Sequence, residues 1–246
     1  MLDDDSKALA GGQSLVPLLN FRLARPARLV DLGGLCELAY LRRSDGILRI
    51  GALTRQATLE RSGLVADRWP LLTEAVGFVG HAQIRNRGTV GGSVAHADPT
   101  AELPVALSAL DARFHLTSPR GRRSLVADEL FLGPLTTALE PDELLVEIEV
   151  PPLPSGARTA FVEHARTHGD FAMCGAAAVV VPGERAAIAL LGAGPRPLRA
   201  PAAERALEDG AAPQEAGDLA AEQIADGYRR ALTAELVRSA IERVSS

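Results

Sequence analysis

Alternation of apolar and polar residues is the clearest strand signal in this chain. Residues 144–150 alternate cleanly, with Val146, Ile148 and Val150 on one face and glutamates on the other, which predicts a strand with one buried face. Shorter apolar runs bounded by turn residues predict further strands, over residues 7–10, 28–32, 47–53, 113–117, 160–165, 172–181 and 186–191. The first of these strands has little before it to pair with, whereas the last three would form a three-stranded antiparallel sheet.

Much of the chain between these strands has apolar residues at the spacing of a helix. Trp69-Pro70 divides one such stretch, because the residue before a proline avoids helical geometry. Near the end of the chain an amphipathic helix is predicted from the spacing of Tyr228, Leu232, Leu236, Ile241 and Val244. The predicted helices cover residues 14–23, residues 58–79 in two pieces, residues 102–110 and much of the chain after residue 202.

Composition narrows the class of protein further. The 246 residues carry a net charge of −5 without a block of basic residues, which argues against a nucleic-acid surface. The longest apolar runs, such as residues 176–182, fall far short of the roughly 20 residues that a membrane-spanning helix needs. Acidic residues at positions 3–5 stand where a signal peptide would be basic, so we expect a cytoplasmic protein without an integral membrane segment.

Two cysteines, Cys36 and Cys174, are too few for a disulfide framework or for the four thiolates that an iron–sulfur cluster requires. Any such cluster must therefore belong to another chain. Nor does the sequence contain a Ser/His/Asp order, an HExxH pattern or paired carboxylates that would indicate hydrolysis. His164 and His168 are spaced like zinc ligands but flank a strand end, so no metal-ligating or catalytic residue is predicted.

Two glycine-rich stretches are the remaining candidates for a functional site. Ala10-Gly11-Gly12-Gln13-Ser14-Leu15 and Gly88-Thr89-Val90-Gly91-Gly92-Ser93 each place a Gly-Gly pair and a small polar residue before a helix-forming segment. A single Gly-Gly pair is more often a turn, but two in this context predict free N–H groups around one anion. Asp98 and Glu102 follow at a spacing that would reach the hydroxyls of a sugar or ribitol. Together these features favour a nucleotide with a pyrophosphate.

Residues 10–17, 83–93, 96–99 and 169–172 resemble the FAD-binding subunit of molybdenum hydroxylases, the medium chain of carbon monoxide dehydrogenases and of xanthine dehydrogenase-like enzymes. The resemblance implies an α+β chain with the FAD-binding fold of the vanillyl-alcohol oxidase (PCMH) type. Its expected divisions are an FAD-binding domain over residues 1–150, in subdomains 1–53 and 54–150, and a C-terminal antiparallel sheet with helices over residues 155–246. The boundary coincides with a proline-rich linker at residues 151–154.

The resemblance also implies a route for electrons. Substrate would be oxidised at a molybdopterin cofactor in a large partner subunit, and electrons would cross [2Fe-2S] clusters in a small partner subunit to FAD in this chain. FAD would pass them to an external acceptor, with NAD, a quinone and oxygen all open. The implied cofactor contacts are Ala10, Gly11, Gly12, Gln13, Ser14, Leu15, Thr89, Val90, Gly91, Gly92 and Ser93 at the pyrophosphate, Asp98 and Glu102 at cofactor hydroxyls, Leu139 beside the adenine and Phe171 against the flavin ring.

Two departures from the family pattern stand out. Relatives usually carry a strand and a helix before the first glycine stretch that this chain lacks, and position 171 is often Tyr where this chain has Phe171. Without the resemblance, a core phenylalanine would be the preferred interpretation of Phe171. Two other functions remain open at this point, a self-contained flavin oxidoreductase of the same fold and a scaffold protein that does not bind FAD.

Overall fold

The structure is a computed structural model that describes residue 3, residues 5–167 and residues 169–245. Asp4 and His168, which entered the sequence argument, lie outside these residues. The described chain begins with a parallel β-α-β unit made of β1 (Ser6–Leu9), α1 (Leu15–Asn20) and β2 (Arg28–Asp31). The first strand therefore takes its partner from the chain that follows it, and the first glycine stretch forms the connection from β1 to α1.

An antiparallel sheet of five strands forms the centre of the N-terminal part of the chain, which ends at Val150. Its strands, in order across the sheet, are β3 (Leu41–Ser44), β4 (Ile47–Gly51), β9 (Leu144–Val150), β5 (Arg113–Ser118) and β6 (Gly121–Val126). The polar residues 44–46 form the turn that joins β3 to β4. A small hairpin, β7 (Phe131–Gly133) with β8 (Thr136–Thr137), follows a short helix, α8 (Ala127–Leu130).

The strand predicted at residues 144–150 forms with those bounds, but its inner face differs from the predicted one. Leu145, Ile148 and Val150 are buried, whereas Val146 is only half-buried. The register with β5 shifts between His115 and Leu116, as expected for a β-bulge, and a bulge moves one residue to the other face of the strand. The regular alternation in the sequence could not show this shift.

Six helices lie between β4 and β5. The stretch predicted as two helical pieces forms three, because a break at Ser62 precedes the predicted break at Trp69. The Ser62 hydroxyl accepts a hydrogen bond from the Val65 N–H at 3.4 Å and caps the second piece. The helices are α2 (Gln56–Glu60), α3 (Gly63–Arg68), α4 (Pro70–Phe78), α5 (Ala82–Arg87), α6 (Val90–His96) and α7 (Glu102–Ala109).

The C-terminal part is a second antiparallel sheet between two layers of helices. It has four strands rather than the three predicted, since a two-residue strand is added at one edge. The central strand is buried along its whole length, which explains its unbroken apolar run. The elements are β10 (Arg158–His164), β11 (Cys174–Val181), β12 (Arg185–Leu191), β13 (Leu198–Arg199), α9 (Pro201–Glu208), α10 (Pro213–Ala221) and α11 (Gly227–Ser245).

Alternate residues of this sheet serve two different cores. Phe161, Ala177 and Leu191 pack with α4 and α7 into the core of the N-terminal part. Their neighbours Val162 and Ile188 face the other way, against α9, α10 and α11. The two parts of the chain consequently share one apolar boundary, which we call the seam, between α4 and α7 on one side and β10 to β12 on the other.

Polar contacts and an aromatic pair reinforce the seam. A Glu74 carboxylate oxygen on α4 accepts a hydrogen bond from the Phe161 N–H at 2.8 Å. The rings of Phe78 and Phe161 lie 5.6 Å apart between centroids. At the far end of α7, Asp111 forms ion pairs with both Arg185 and Arg199. These contacts fix the position of the C-terminal sheet against α4 and the end of α7.

The last helix confirms that helices pack on the sheet, but its buried stripe differs from the prediction. Tyr228 is 60% exposed, and Leu232 and Leu236 are only half-buried. The buried stripe begins at Thr233, keeps the predicted Ile241 and Val244, and adds Val237 and Ala240. Among the described residues, no helix is both long and apolar enough to cross a membrane.

Gly77→Ala is expected to raise the free energy of unfolding by about 0.5–1 kcal/mol. Gly77 lies inside α4, and a Cβ built there meets no heavy atom within 4 Å. The substitution therefore reduces the entropy of the unfolded chain without a clash. Urea denaturation measures the change. Gly91→Ala is the matched control, because its Cβ would lie 2.7 Å from the Ala52 carbonyl oxygen, so it should lower stability instead.

Candidate functional site

The first glycine stretch offers a row of backbone donors. Within residues 5–167 and 169–245, no acceptor is found for the N–H groups of residues 11–15. Gly12 has a φ of +76°, which a residue with a side chain rarely adopts. The Gln13 side-chain amide folds back onto the Gly11 carbonyl at 3.2 Å and fixes the turn. A row of N–H groups before a helix is an arrangement suited to binding an anion.

The second glycine stretch does not offer the free N–H groups that the sequence predicted. Most of it is the first turn of α6, and Thr89 is its N-cap. Its backbone N–H groups are hydrogen-bonded within the chain, in part because residues 52–54 lie directly against this turn. The N–H of Val90 bonds to the Thr54 carbonyl at 2.9 Å, that of Gly91 to the Ala52 carbonyl at 2.8 Å, and those of Gly92 and Ser93 to the Thr89 hydroxyl and carbonyl, both at 3.1 Å.

Glycine is needed in both stretches because each packs closely against another segment of backbone. A Cβ on Gly11 would lie 2.8 Å from the Gly88 Cα, and one on Gly91 would lie 2.8 Å from the Ala52 Cα. A Cβ on Gly92 would lie 3.6 Å from the Ala10 Cβ, in the gap between the two stretches. The structure thus brings the two stretches together, as a single binding site requires.

The charge of Lys7 on β1 acts on His96 at the end of α6. β1 therefore lies near α6, where the two glycine stretches meet. Burial lowers the pKa of His96, the nearby Asp98 carboxylate opposes that change, and the Lys7 charge adds to it. His96 is therefore neutral at physiological pH and contributes no fixed charge. Lys7 itself lies on β1, the strand that leads into the first stretch.

Asp98 and Glu102 lie where α6 ends and α7 begins. One carboxylate oxygen of Asp98 accepts hydrogen bonds from both the N–H and the hydroxyl of Thr100, at 2.8 and 2.7 Å. Glu102 opens α7 and is only 8% exposed. Burial raises the pKa of Glu102 to about 7, and the Asp98 charge contributes in the same direction. Glu102 can consequently donate as well as accept a hydrogen bond near neutral pH.

Phe171 is not the core residue that its apolar character alone would favour. Its ring is 74% exposed, in the connection between β10 and β11. Gly169 has a φ of +84°, and a Cβ there would lie 2.7 Å from the His81 ring, so the connection bends closely over that histidine. The Met173 N–H bonds to the His164 carbonyl at 2.8 Å and closes the bend. This geometry leaves the Phe171 ring accessible at the surface.

Leu139 occupies a less open position than Phe171. Its side chain is half-buried and packs against the core of the N-terminal part. Its N–H bonds to the Thr137 hydroxyl at 3.4 Å, in the segment between β8 and β9. The packing accounts for an apolar residue at this position, and a contact with adenine remains a prediction.

Sequence reasoning missed several side chains beside the place where the two glycine stretches meet. Arg55 donates a short hydrogen bond to the Arg87 carbonyl, and the buried Gln56 side chain lies under Gly88. Both follow β4 and carry no local signal, because the contact that positions them comes from residues 87–89. A cavity of about 280 Å³ opens beside them, lined by Ala10, Gly33, Leu35, Cys36, Ala39, Tyr40, Leu53, Thr54, Arg55, Thr58 and Thr89.

His115, Glu147 and Glu149 form a second polar cluster, on the solvent face of the five-stranded sheet. His115 Nε2 lies 3.1 Å from a Glu149 oxygen, and Arg49 pairs with both carboxylates. The Tyr40 hydroxyl donates to Glu147 at 2.5 Å. Arg49 supplies the positive charge that the two carboxylates need, so the cluster is an ion-pair network across three strands rather than a candidate metal centre.

Comparisons with known proteins agree with this geometry. Residues 2–153 match the family described as the FAD binding domain in molybdopterin dehydrogenase. The alpha subunit of the 6-hydroxypseudooxynicotine dehydrogenase complex of Paenarthrobacter nicotinovorans is 49% identical over 211 residues, which cover 84% of this chain and 71% of that protein. The carbon monoxide dehydrogenase medium chain of Afipia carboxidovorans is 35% identical, with 100% of this chain and 91% of that protein covered.

The fold comparison extends over almost the whole chain. A solved carbon monoxide dehydrogenase from Hydrogenophaga pseudoflava, in a form that lacks the Mo-pyranopterin moiety of its molybdenum cofactor, superposes with a TM-score of 0.93 at 38% identity. The superposition covers 99% of this chain and 91% of that one. Family match, relatives and fold lead to one conclusion: the chain belongs to the FAD-binding medium subunits of the molybdenum hydroxylases, and is an oxidoreductase subunit.

Proposed function

We propose that this chain is the electron-transfer subunit of a molybdenum hydroxylase complex. FAD bound here takes electrons that arrive from iron–sulfur clusters in a small partner subunit, after substrate oxidation at molybdopterin in a large one. An external acceptor, which is NAD, a quinone or oxygen, then receives them. FAD supplies the redox chemistry, because it can exchange electrons with both one-electron and two-electron partners. The chain's own residues bind and orient it.

The observation that carries this proposal is the row of N–H groups at residues 11–15. Five successive N–H groups have no acceptor among the described residues, and they follow Ala10, whose Cβ would lie 3.6 Å from a Cβ on Gly92. Lys7 adds a positive charge on β1, the strand that leads into these residues. A pyrophosphate would satisfy these donors, so the first stretch would bind it directly. The second stretch would contribute by closing the gap without bulky side chains and by directing the N-terminal end of α6 towards it.

The remaining assignments follow from position. Residues 1–150 would form the FAD-binding domain, with subdomains 1–53 and 54–150, and residues 155–246 the C-terminal domain. Asp98 and Glu102, between α6 and α7, would contact cofactor hydroxyls, while Leu139 would lie beside the adenine. Phe171 would cover the flavin ring, a role that its 74% exposure allows. The cysteine count supports clusters in a partner, since Cys174 is buried and only Cys36 is exposed.

Flavin content and electron transfer test this proposal in separate steps. The purified chain should contain FAD by absorbance but oxidise no substrate alone, and adding the molybdopterin and iron–sulfur subunits should restore reduction of the flavin by substrate. Substrate oxidation by the chain alone would indicate a self-contained oxidoreductase. A chain that never binds FAD, even with its partners present, would be a scaffold protein and would contradict the proposal.

Phe171→Ala should weaken FAD binding about fivefold, since stacking of an aromatic ring contributes on the order of 1 kcal/mol. Its exposure predicts a change in the free energy of unfolding of the FAD-free chain within about 0.5 kcal/mol. FAD titration and the rate of flavin reoxidation measure the effect. Phe21→Ala is the matched control, because Phe21 is 76% exposed at the end of α1 and has no proposed role. Equal FAD affinities in both variants would exclude Phe171 from the flavin site.

A further inference from the structure

The side chain of Arg85 binds a carboxylate with one edge and two backbone carbonyls with the other. Its Nε and Nη2 donate to the two carboxylate oxygens of Glu60 on α2, both at 2.8 Å. Its Nη1 donates to the Val79 and Gly80 carbonyls, at 3.0 and 3.2 Å. Only 13% of the Arg85 side chain and 28% of the Glu60 side chain are exposed. One guanidinium group therefore ties the connection between α4 and α5 to a helix earlier in the chain.

The connection between α4 and α5 is well suited to a cationic donor, because it directly follows the end of α4. Carbonyl groups at the end of a helix have no N–H partner within it, and a positive charge there is favourable. Gly80 has a φ of +45°, a conformation that a residue with a side chain rarely adopts. Hydrogen bonds from Arg85 hold the pKa of Glu60 below its ordinary value, so the pair is ionised at neutral pH.

His81, the next residue of this connection, supports the bend that precedes Phe171. It is the N-cap of α5, and its carbonyl accepts the backbone N–H of Arg85 at 3.2 Å. Three atoms of the His81 ring lie within 3.0 Å of the place where a Cβ on Gly169 would be. The bend thus rests directly on the ring. Because packed groups of this kind have no free space between them, a shift of His81 must either move the bend or break the contact.

We propose that Arg85 is a positioning residue for Phe171, on which it acts through residues 79–81 and the contact between His81 and Gly169. The Phe171 ring is 74% exposed, so packing of the ring itself does little to hold it in place. The backbone of the bend must therefore determine where the ring lies. Arg85 fixes the segment that supports this bend without itself touching the cofactor. The inference rests on the proposed function in one respect, the contact between Phe171 and the flavin.

Lysine at position 85 separates positioning from charge. It keeps the positive charge beside Glu60, but its single nitrogen cannot span the carboxylate and both carbonyls as the planar guanidinium does. Arg85→Lys should therefore keep the ion pair and release the carbonyls of residues 79 and 80. An ion pair that only stabilised the fold would be largely preserved in this variant, whereas the position of the bend would be lost.

Hydrogen exchange in the FAD-free full chain measures the bend itself. The Met173 N–H closes the bend through its bond to a carbonyl on β10, and Arg85→Lys should raise its exchange rate about tenfold. The Ala200 N–H, which bonds to a carbonyl on β12 at 3.0 Å, is the internal reference and should keep its rate. Arg120→Lys is the matched control, because Arg120 forms a similar two-bond pair with Asp142, at 2.6 and 2.7 Å. That variant should change neither rate.

FAD titration tests whether Arg85 acts on the cofactor through Phe171. If it does, Arg85→Lys should weaken FAD binding by no more than the roughly fivefold loss expected for Phe171→Ala. The variant that carries both substitutions should then bind FAD as Phe171→Ala does, because two changes that act through one contact are not additive.

Three outcomes would overturn the proposal. The first is a Met173 exchange rate in Arg85→Lys that equals that of the control. The second is additive losses of FAD affinity, which would give Arg85 a separate effect on the cofactor. If Arg85→Lys does not fold, Glu60→Gln replaces it, because it removes the charge that anchors the guanidinium, and an unchanged Met173 rate there is the third. Failure of the proposed function is distinguishable, since Phe171→Ala would then leave FAD affinity unchanged while the exchange result remained.

Discussion

Gly92→Val is expected to abolish FAD binding while lowering the free energy of unfolding by only about 1 kcal/mol. A Cβ on Gly92 would lie 2.6 Å from the Thr89 hydroxyl and 3.6 Å from the Ala10 Cβ. The Thr89 side chain can rotate away, which sacrifices one helix cap. The valine methyl groups would then fill the gap beside the N–H groups of residues 11–15. A pyrophosphate could no longer reach those donors.

Flavin absorbance after dialysis measures the first effect and urea denaturation the second. Gly63→Val is the matched control, because Gly63 also lies in the first turn of a helix and a Cβ there meets no heavy atom within 4 Å. That variant should retain FAD. Full FAD retention by Gly92→Val would show that the pyrophosphate does not lie between the two stretches. Equal loss in both variants would trace the effect to valine in a helix rather than to the site.

Elements whose geometry is set by neighbouring residues were predictable from the sequence. The strand at residues 144–150 forms with the predicted bounds, and the turn at residues 44–46 has positive φ at Asp45 and Gly46, as a tight hairpin requires. The break at Trp69-Pro70 also follows from a local steric rule. In contrast, the edge strand β6 was missed, because an exposed edge carries arginines where alternation would be expected.

Contacts between distant segments decided what the sequence could not show. The N–H groups of Val90 and Gly91 bond to carbonyls in residues 52–54, and nothing near residue 90 indicates that partner. Both glycine stretches were recognised, but only the first retains unpaired donors. Glycine content alone cannot distinguish a loop that approaches a ligand from one that approaches another backbone. The bend before Phe171 likewise depends on a distant segment, because Gly169 lies directly against the ring of His81.

Trp69→Ala is expected to destabilise the chain by about 3–5 kcal/mol. The Trp69 side chain is 1% exposed and packs within the core of the N-terminal part. Its indole N–H donates to the Pro151 carbonyl at 2.7 Å, where the strand β9 ends and the proline-rich linker begins. Removing the ring would leave a cavity and also an unpaired carbonyl. The residue therefore connects the helices before the second glycine stretch to the start of the C-terminal part.

Trp69→Phe separates these two contributions. Phenylalanine retains most of the apolar contact but cannot donate the hydrogen bond, so its cost should be about 1–3 kcal/mol. Each kcal/mol lowers the melting temperature of a chain of this size by about 2–4 °C, which calorimetry resolves for both variants. If the two variants were equally destabilised, the hydrogen bond to Pro151 would account for the whole effect. If the melting temperature of Trp69→Phe equalled that of the unmodified chain, the hydrogen bond would contribute nothing. Burial of the ring alone would then fix the point at which the proline-rich linker begins.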